Sequence, residues 1–237
     1  MDKAIDKFKT QLYNYGYNTT EQQFDNFLKY YQLLVSWNEK MNLTAITEFE
    51  DVLTKHFLDS LSIIKIIDLN KFDSLIDVGT GAGFPGIPIK IMYPNVNVML
   101  LDSLQKRIGF LDTVISELKL ENIDTVHGRA EDLARMEIYR EKYDVCLSRA
   151  VSNLSSLSEL CLPFVKVGGC FIPYKSDKAE EEIVNAANAI ETLGAKIDKK
   201  ETFYIDNYTR TLIKIDKIKP SSKKYPRKAG TPVKNPL

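Results

Sequence analysis

Ten residues, Asp77-Val78-Gly79-Thr80-Gly81-Ala82-Gly83-Phe84-Pro85-Gly86, follow the apolar pair Leu75-Ile76 and lead into Ile87-Pro88-Ile89-Lys90-Ile91-Met92. This order reads as a strand, a glycine-rich turn and the start of a helix. Glycine lacks a Cβ and tolerates positive φ, so such a turn lets a ligand lie against bare backbone. The pattern around it extends the same theme. Strands are expected at 74–78, 96–101, 123–126, 143–147 and 169–173, with helices at 85–92, 105–118, 129–136 and 155–164 between them. A long helix at 177–193 and two strands near 196–204 and 211–218 follow. Strand-helix alternation with short apolar strands predicts a doubly wound, mostly parallel sheet of seven strands with helices on both faces, a Rossmann-like α/β fold. The final hairpin-like pair predicts one antiparallel edge strand.

Ahead of the sheet the pattern is helical. Phe24, Phe27, Leu28, Tyr31, Leu34 and Val35 make one apolar stripe, Thr20 and Gln23 offer a capping box, and Trp37-Asn38 marks the helix end. A second helix is expected at 51–67, with His56 among its inward candidates. Tyr13, Tyr15 and Tyr17 read as packing residues rather than a platform for stacked bases. The expected organisation is a helical N-terminal cap (1–70), a ligand-binding core (71–219) and a basic tail (220–237), forming one compact unit.

Charge is unevenly spread. From Lys217 onward the chain has seven basic residues and no acid, leaving 25 basic against 32 acidic residues before it. An acidic body with a basic tail suits a polyanionic partner; the same run also reads as a solvated, disordered tail. Cys146, Cys161 and Cys170 form an odd set without a C-x-x-C pair, so neither a disulfide framework nor a zinc site is expected and a reducing cytoplasm is the default. No apolar run is long enough to span a bilayer.

Two cofactor readings overlap at the glycines. Gly81 to Gly86 satisfies G-x-G-x-x-G, the dinucleotide fingerprint. Asp77 to Gly83 satisfies the acid-x-G-x-G-x-G pattern of S-adenosylmethionine (SAM) methyltransferases. Asp102, ending the second strand, suits ribose hydroxyls in both frames. Charge separates them. A pyrophosphate needs free N–H groups at the helix start, where Pro85 removes a donor and Asp77 repels phosphate. SAM has no phosphate and carries an ammonium and a sulfonium, so SAM is the favoured cofactor. The alternatives are an NAD(P)-dependent oxidoreductase of similar fold and a SAM-binding regulator without catalysis.

The fourth strand runs into Leu147-Ser148-Arg149-Ala150-Val151. It lacks the D/N-P-P-aromatic motif of exocyclic-amine methylation and the cysteine nucleophile of cytosine-C5 methylation; Cys146 lies within the strand and reads as a buried core residue. The absence suits guanine N7, whose exposed lone pair needs no general base. Positioning and electrostatics would then carry the catalysis.

Seven stretches taken together resemble the glucose-inhibited division protein B family, the methyltransferase G family of small-subunit ribosomal RNA. They are Met41–Ile46, Lys55–Leu61, Asp77–Pro88, Asp102-Ser103 with Lys106-Arg107, Gly128–Asp132, Ser148–Val151 and Lys224–Pro232. The resemblance implies methyl transfer from SAM to N7 of a guanosine in the decoding region of 16S rRNA, on naked RNA or on the small ribosomal subunit, by a protein expected to act as a cytoplasmic monomer away from membranes. It implies cofactor contacts at Gly79, Phe84, Ala130, Glu131 and Arg149, with Asp102 and Ser103 at the ribose; Asp77, Gly81 and Gly83 complete the turn. Phe84 stands where many members have leucine. Arg149 reads as a positioning residue at the transfer point or as half of an ion pair, and His56 as a site residue facing the cofactor or as a core histidine. Arg129, Lys175, Lys223, Lys224, Arg227 and Lys228 are the candidate RNA contacts. Arg129 equally reads as an ion-pair partner of a nearby acid, and Lys175 as a surface lysine.

Overall fold

The structure is a computed structural model that describes residues 2–149 and 152–237. Ala150 and Val151, which belong to the quoted Ser148–Val151 stretch, lie outside the described residues.

Seven strands form one sheet in the order β3-β2-β1-β4-β5-β7-β6. They are β1 (Ser74–Val78), β2 (Asn97–Asp102), β3 (Ile123–His127), β4 (Tyr143–Arg149), β5 (Val165–Lys175), β6 (Ala195–Ile205) and β7 (Tyr208–Lys217). β1 to β5 pair in parallel, and β7 runs antiparallel to both β5 and β6. The expected antiparallel edge strand is therefore an interior one. β7 returns into the slot between β5 and β6, and its Leu212, Ile213 and Ile215 are all fully buried, which demands cover on both faces. β6 takes the edge and is mostly exposed and charged, as edge strands tend to be.

The pleat divides the interior into two cores. Leu75, Val145, Leu147, Ile172 and Leu212 face one side, packed with α1 (Asp2–Asn14), α2 (Glu21–Met41), α5 (Gly86–Met92) and α6 (Gln105–Glu117). Their neighbours Ile76, Cys146, Phe171 and Ile213 face the other, with α7 (Ala130–Leu133), α8 (Leu154–Cys161) and α9 (Ala179–Thr192). This is the period-two alternation of a strand buried on both faces. Cys146 thus sits in the second core, where burial pushes its thiol well above the ordinary range and makes it unsuited to nucleophilic attack.

α2 starts with the capping box at Thr20 and Gln23. It runs past Trp37 to Met41 and stops at Asn42 in the left-handed conformation, φ 49°. The helix expected at 51–67 is a composite: α3 (Phe49–Asp51), a π-helix at Val52–Leu58, α4 (Asp59–Leu61) and a 3-10 turn at Ser62–Lys65. Wide π turns favour functional sites, and this one carries His56. Of the three N-terminal tyrosines, Tyr17 is buried and donates to the Leu61 carbonyl at 2.8 Å, whereas Tyr13 projects into solvent.

The tail is packed, not a disordered run. It crosses α8, burying Tyr225 and Pro232, and ends in α10 (Thr231–Lys234). Ser156 donates to the Pro232 carbonyl at 2.8 Å and Ser155 to that of Leu237 at 2.9 Å. Arg227 grips the fully buried Glu159 through Nε and Nη2, at 3.0 and 2.6 Å. Arg227→Ala leaves that carboxylate without its counter-charge and, because Arg227 is itself partly exposed, should destabilise the protein by about 2–3 kcal/mol, the range of hydrogen bonds to a charged group, rather than the larger loss of a fully buried pair. Urea unfolding checks this; a loss below about 0.5 kcal/mol, the level of ordinary surface changes, would contradict it.

Candidate active site

The parallel strands β1, β2 and β4 end together, and their C-terminal edge carries Asp77, Asp102 and Arg149. Three glycines of the turn adopt positive φ: Gly79 at 72°, Gly81 at 64° and Gly83 at 94°. A Cβ on Gly81 would meet nothing within 4 Å, so the backbone there faces open space. A Cβ on Gly83 would lie 2.5 Å from Ile87 Cδ1 and 2.7 Å from the Tyr30 hydroxyl, so close packing accounts for that glycine.

Asp77 is fully buried beneath the turn. Its Oδ2 accepts from the Thr80 hydroxyl at 2.7 Å and from the Gly86 N–H at 2.9 Å. Oδ1 has no partner among the described residues. Burial raises the carboxyl to about 6, against the opposing bonds from Thr80 and Gly86. The Gly86 N–H opens α5 and is the donor a pyrophosphate would need, so the carboxylate already occupies the place of the phosphate. Asp102 closes over the same turn. Its Oδ2 accepts from Gly81 N–H at 2.9 Å and Arg107 Nη1 at 3.2 Å, and its Oδ1 from Leu104 N–H at 2.9 Å. Two carboxylates, an unmatched oxygen and a bare glycine backbone fit a cationic ligand without phosphate. Ser103 is exposed beside Asp102. Ala130 is buried at the start of α7, and Glu131 accepts from the Gly230 N–H at 2.8 Å, tying the tail to this edge.

Phe84 joins the turn to the N-terminal helices. Its ring stacks on His56 with centroids 4.4 Å apart, packs against Tyr30 at 5.4 Å, and lies 5.1 Å beneath the Arg149 guanidinium. Arg149 is nearly buried. Nη1 pairs with Asp59 Oδ2 at 2.7 Å, and Nη2 donates to His56 Nδ1 at 3.3 Å. That bond fixes the tautomer: Nε2 carries the proton and donates to Thr44 Oγ1 at 2.9 Å. Burial, then Arg149, pushes His56 down to about 3, so it stays neutral. Arg149 is thus half of an ion pair, but with Asp59 rather than with a neighbouring acid. Arg210 pairs with the same carboxylate through Nε at 2.6 Å and Nη2 at 2.8 Å.

Beside this cluster opens a cleft of about 840 Å³ lined by His56, Arg149, Tyr174, Lys175, Glu182 and Tyr208, among others. Lys175 is not a surface lysine: it is buried, with Nζ 2.7 Å from Glu182 Oε2 and 2.6 Å from the Ser152 carbonyl. A second cleft of similar size lies between α1 and α2 at Lys9, Tyr13 and Phe24, away from the strand ends. Arg129 is exposed at the N-cap of α7 with no ion pair among the described residues; Asp144 is paired with Lys166 instead. Lys223, Lys224 and Lys228 are exposed, while Arg227 is engaged by Glu159.

Asp59, Arg210, Thr44 and Tyr208 join the site without having been singled out in the sequence. Thr44 and Asp59 lie within the quoted stretches Met41–Ile46 and Lys55–Leu61, Asp59 as a lone acid in the apolar run Phe57-Leu58-Asp59-Ser60-Leu61, whereas Arg210 and Tyr208 left no signal.

The sequence model of the GidB family, described as rRNA small subunit methyltransferase G, matches residues 23–212. The chain belongs to this family. A ribosomal RNA small subunit methyltransferase G from Lachnoclostridium phytofermentans is 55% identical over 224 residues, covering 94% of this chain and 93% of the relative. One from Clostridium tetani is 48% identical over 237 residues and covers 99% of both. Among solved structures, a SAM-dependent methyltransferase from Aquifex aeolicus superposes with a TM-score of 0.52 at 16% identity, over 70% of this chain and 92% of that one. The fibrillarin pre-rRNA processing protein of Methanococcus jannaschii gives 0.51 at 18% identity, over 66% and 73%. These structures share the fold, a class I methyltransferase sheet. Among the described residues no helix is long and apolar enough to cross a membrane.

Proposed function

We propose that the protein transfers a methyl group from SAM to N7 of a guanosine in the decoding region of 16S rRNA, acting in the cytoplasm as a monomer. SAM supplies an electrophilic methyl carbon on a sulfonium. Gly79 and Gly81 give it backbone to lie on, and Asp77 and Asp102 hold a negative potential beneath its cationic groups. Asp102 would exchange Arg107, which is one-third exposed, for the ribose hydroxyls. Ser103 and the Ala130-Glu131 backbone flank the ribose and adenine.

One observation carries the base-free reading: His56, Asp59 and Glu182 are each held against a cation, and among the described residues Glu182 Oε1 is their one open acceptor. His56 Nδ1 faces Arg149, Asp59 faces two arginines, and Glu182 faces Lys175. Ion-paired groups of this kind suit holding a base in place better than taking a proton from an amine, and guanine N7 has none to give up. Attack by the N7 lone pair on the methyl carbon breaks the carbon–sulfur bond as the carbon–nitrogen bond forms. Arg149 and His56 act as positioning residues that hold Phe84 and the turn in place. Tyr208 lines the same cleft, and its ring would stabilise a guanine made cationic.

The test is transfer from labelled SAM to small-subunit RNA lacking the mark, followed by borohydride reduction and aniline cleavage, which opens RNA at 7-methylguanosine. Cleavage at one guanosine is expected. Label without cleavage, or no label, would overturn the reading.

RNA is also expected to meet the exposed cations Arg129, Lys223, Lys224 and Lys228. Lys217 is buried and donates to the Leu162 carbonyl at 2.8 Å, and Arg227 is paired, so five tail cations remain. If all five meet single-stranded phosphate, log affinity should fall against log salt with a slope of about −3.5. A slope unchanged when Lys223, Lys224 and Lys228 become glutamine would remove the tail from the interface.

A further inference from the structure

The Lys175–Glu182 pair has bonds left over. Lys175 lies at the end of β5 and Glu182 on α9, and the two side chains meet at the wall of the cleft that Arg149 and His56 also line; these last two contact Phe84 of the glycine turn. The ammonium has three N–H groups, of which Glu182 Oε2 takes one at 2.7 Å and the Ser152 carbonyl another at 2.6 Å. Glu182 Oε2 also accepts from the Leu154 N–H at 2.7 Å. One ammonium N–H and Glu182 Oε1 have no partner among the described residues. The pair therefore offers the cleft one charged donor beside one charged acceptor.

The geometry points to this pair as the reader of the guanine edge, with Lys175 donating to O6 and Glu182 Oε1 accepting from N1–H and the 2-amino group. This rests on the reading above that guanine is the acceptor. Guanine is the purine whose edge runs acceptor then donor in that order starting from the N7 side. O6 adjoins N7, so a base gripped in this register keeps its nucleophile next to the lysine and turned toward the strand ends. Adenine or 2,6-diaminopurine in the same register puts an amino group against Lys175 and an unprotonated N1 against Glu182. Both contacts are repulsive and leave charged groups unmatched, although N7 is still present. Sites built to hydrogen-bond one pattern reject the reversed one strongly.

The test uses RNA in which the guanosine mapped by aniline cleavage is replaced by 2,6-diaminopurine riboside. Transfer is measured as kcat/KM with the wild-type protein and Glu182→Gln. The glutamine is isosteric: its oxygen can still accept from Leu154 while its amide N–H turns to the cleft, where it opposes N1–H of guanine but suits N1 of diaminopurine. Wild type is expected to favour guanosine by about 100-fold. Glu182→Gln should lower transfer to guanosine by about 10- to 100-fold and shrink the preference below about tenfold, with SAM affinity unchanged. Lys175→Met, which removes the donor to O6, supplies the same comparison should Glu182→Gln lose SAM binding. A preference equal to wild type in these variants overturns the assignment while leaving guanine methylation intact. No transfer to guanosine by the wild-type protein overturns both.

Discussion

Asp59→Ala should destabilise the protein by about 3–5 kcal/mol, the loss typical of a buried ion pair stripped of one partner. Asp59 is fully buried and faces Arg149 and Arg210 together, at 2.6 to 2.8 Å. Removing it leaves two nearly buried guanidinium groups repelling each other over an alanine. Arg149 would then lose the bond that draws it over Phe84, so SAM-dependent transfer should fall as well. Urea unfolding measures the first effect. Pairing the change with Arg210→Met should recover part of the loss, because one stranded cation is removed with its partner. A loss below about 1 kcal/mol, comparable to an exposed pair, would mean that Asp59 does not hold this cluster.

Asp77→Asn should do the opposite to stability while harming function. Burial puts the Asp77 carboxyl at about 6 in the folded protein, above the ordinary 3.8. A raised folded value means that the folded state favours the protonated form. Its contribution is therefore fully present below about pH 4 and is lost as pH rises through about 6. Above that, the buried charge costs on the order of 1–3 kcal/mol. Asparagine keeps an acceptor for Thr80 and Gly86 without the charge. Ligand-free Asp77→Asn should thus melt higher than wild type at pH 8, with the gap closing toward pH 4. SAM affinity should fall by roughly 10- to 100-fold as the charge beneath its cations disappears. The wild-type affinity should weaken as pH drops through about 6. Melting curves and calorimetric titration across that range check both; a variant that is less stable at pH 8 and binds SAM normally would assign Asp77 a purely structural role.

These two carboxylates differ in how far the sequence reveals them. Asp77 is legible because the acid, the glycines and the strand are contiguous, so local chemistry names the site. Asp102 is legible for the same reason, as the last residue of a short apolar strand. Asp59 is not: its partners lie 90 and 151 positions away, and only the fold brings them together. The π turn that carries His56 leaves no mark distinguishable from an ordinary amphipathic helix. The strands β1 to β5 follow from apolar runs, but the insertion of β7 between β5 and β6 depends on which faces need cover, which is a property of the finished sheet. The tail shows the limit most plainly. Lys224 and Arg227 look alike in a basic run, yet one is exposed and the other clasps a buried glutamate. Lys175 likewise looks like a solvent-facing lysine after a strand, until α9 brings Glu182 against it.

The atom that receives the methyl group separates N7 transfer from methylation anywhere else on the base. The most direct measurement replaces that atom. Small-subunit RNA carrying 7-deazaguanosine at the mapped position keeps O6, N1–H and the 2-amino group but has a C–H in place of N7. The account predicts that this RNA competes with unmodified RNA for the protein yet accepts no label from SAM. Transfer of label to the 7-deazaguanosine residue would contradict it, because the methyl group would then be going to an atom other than N7.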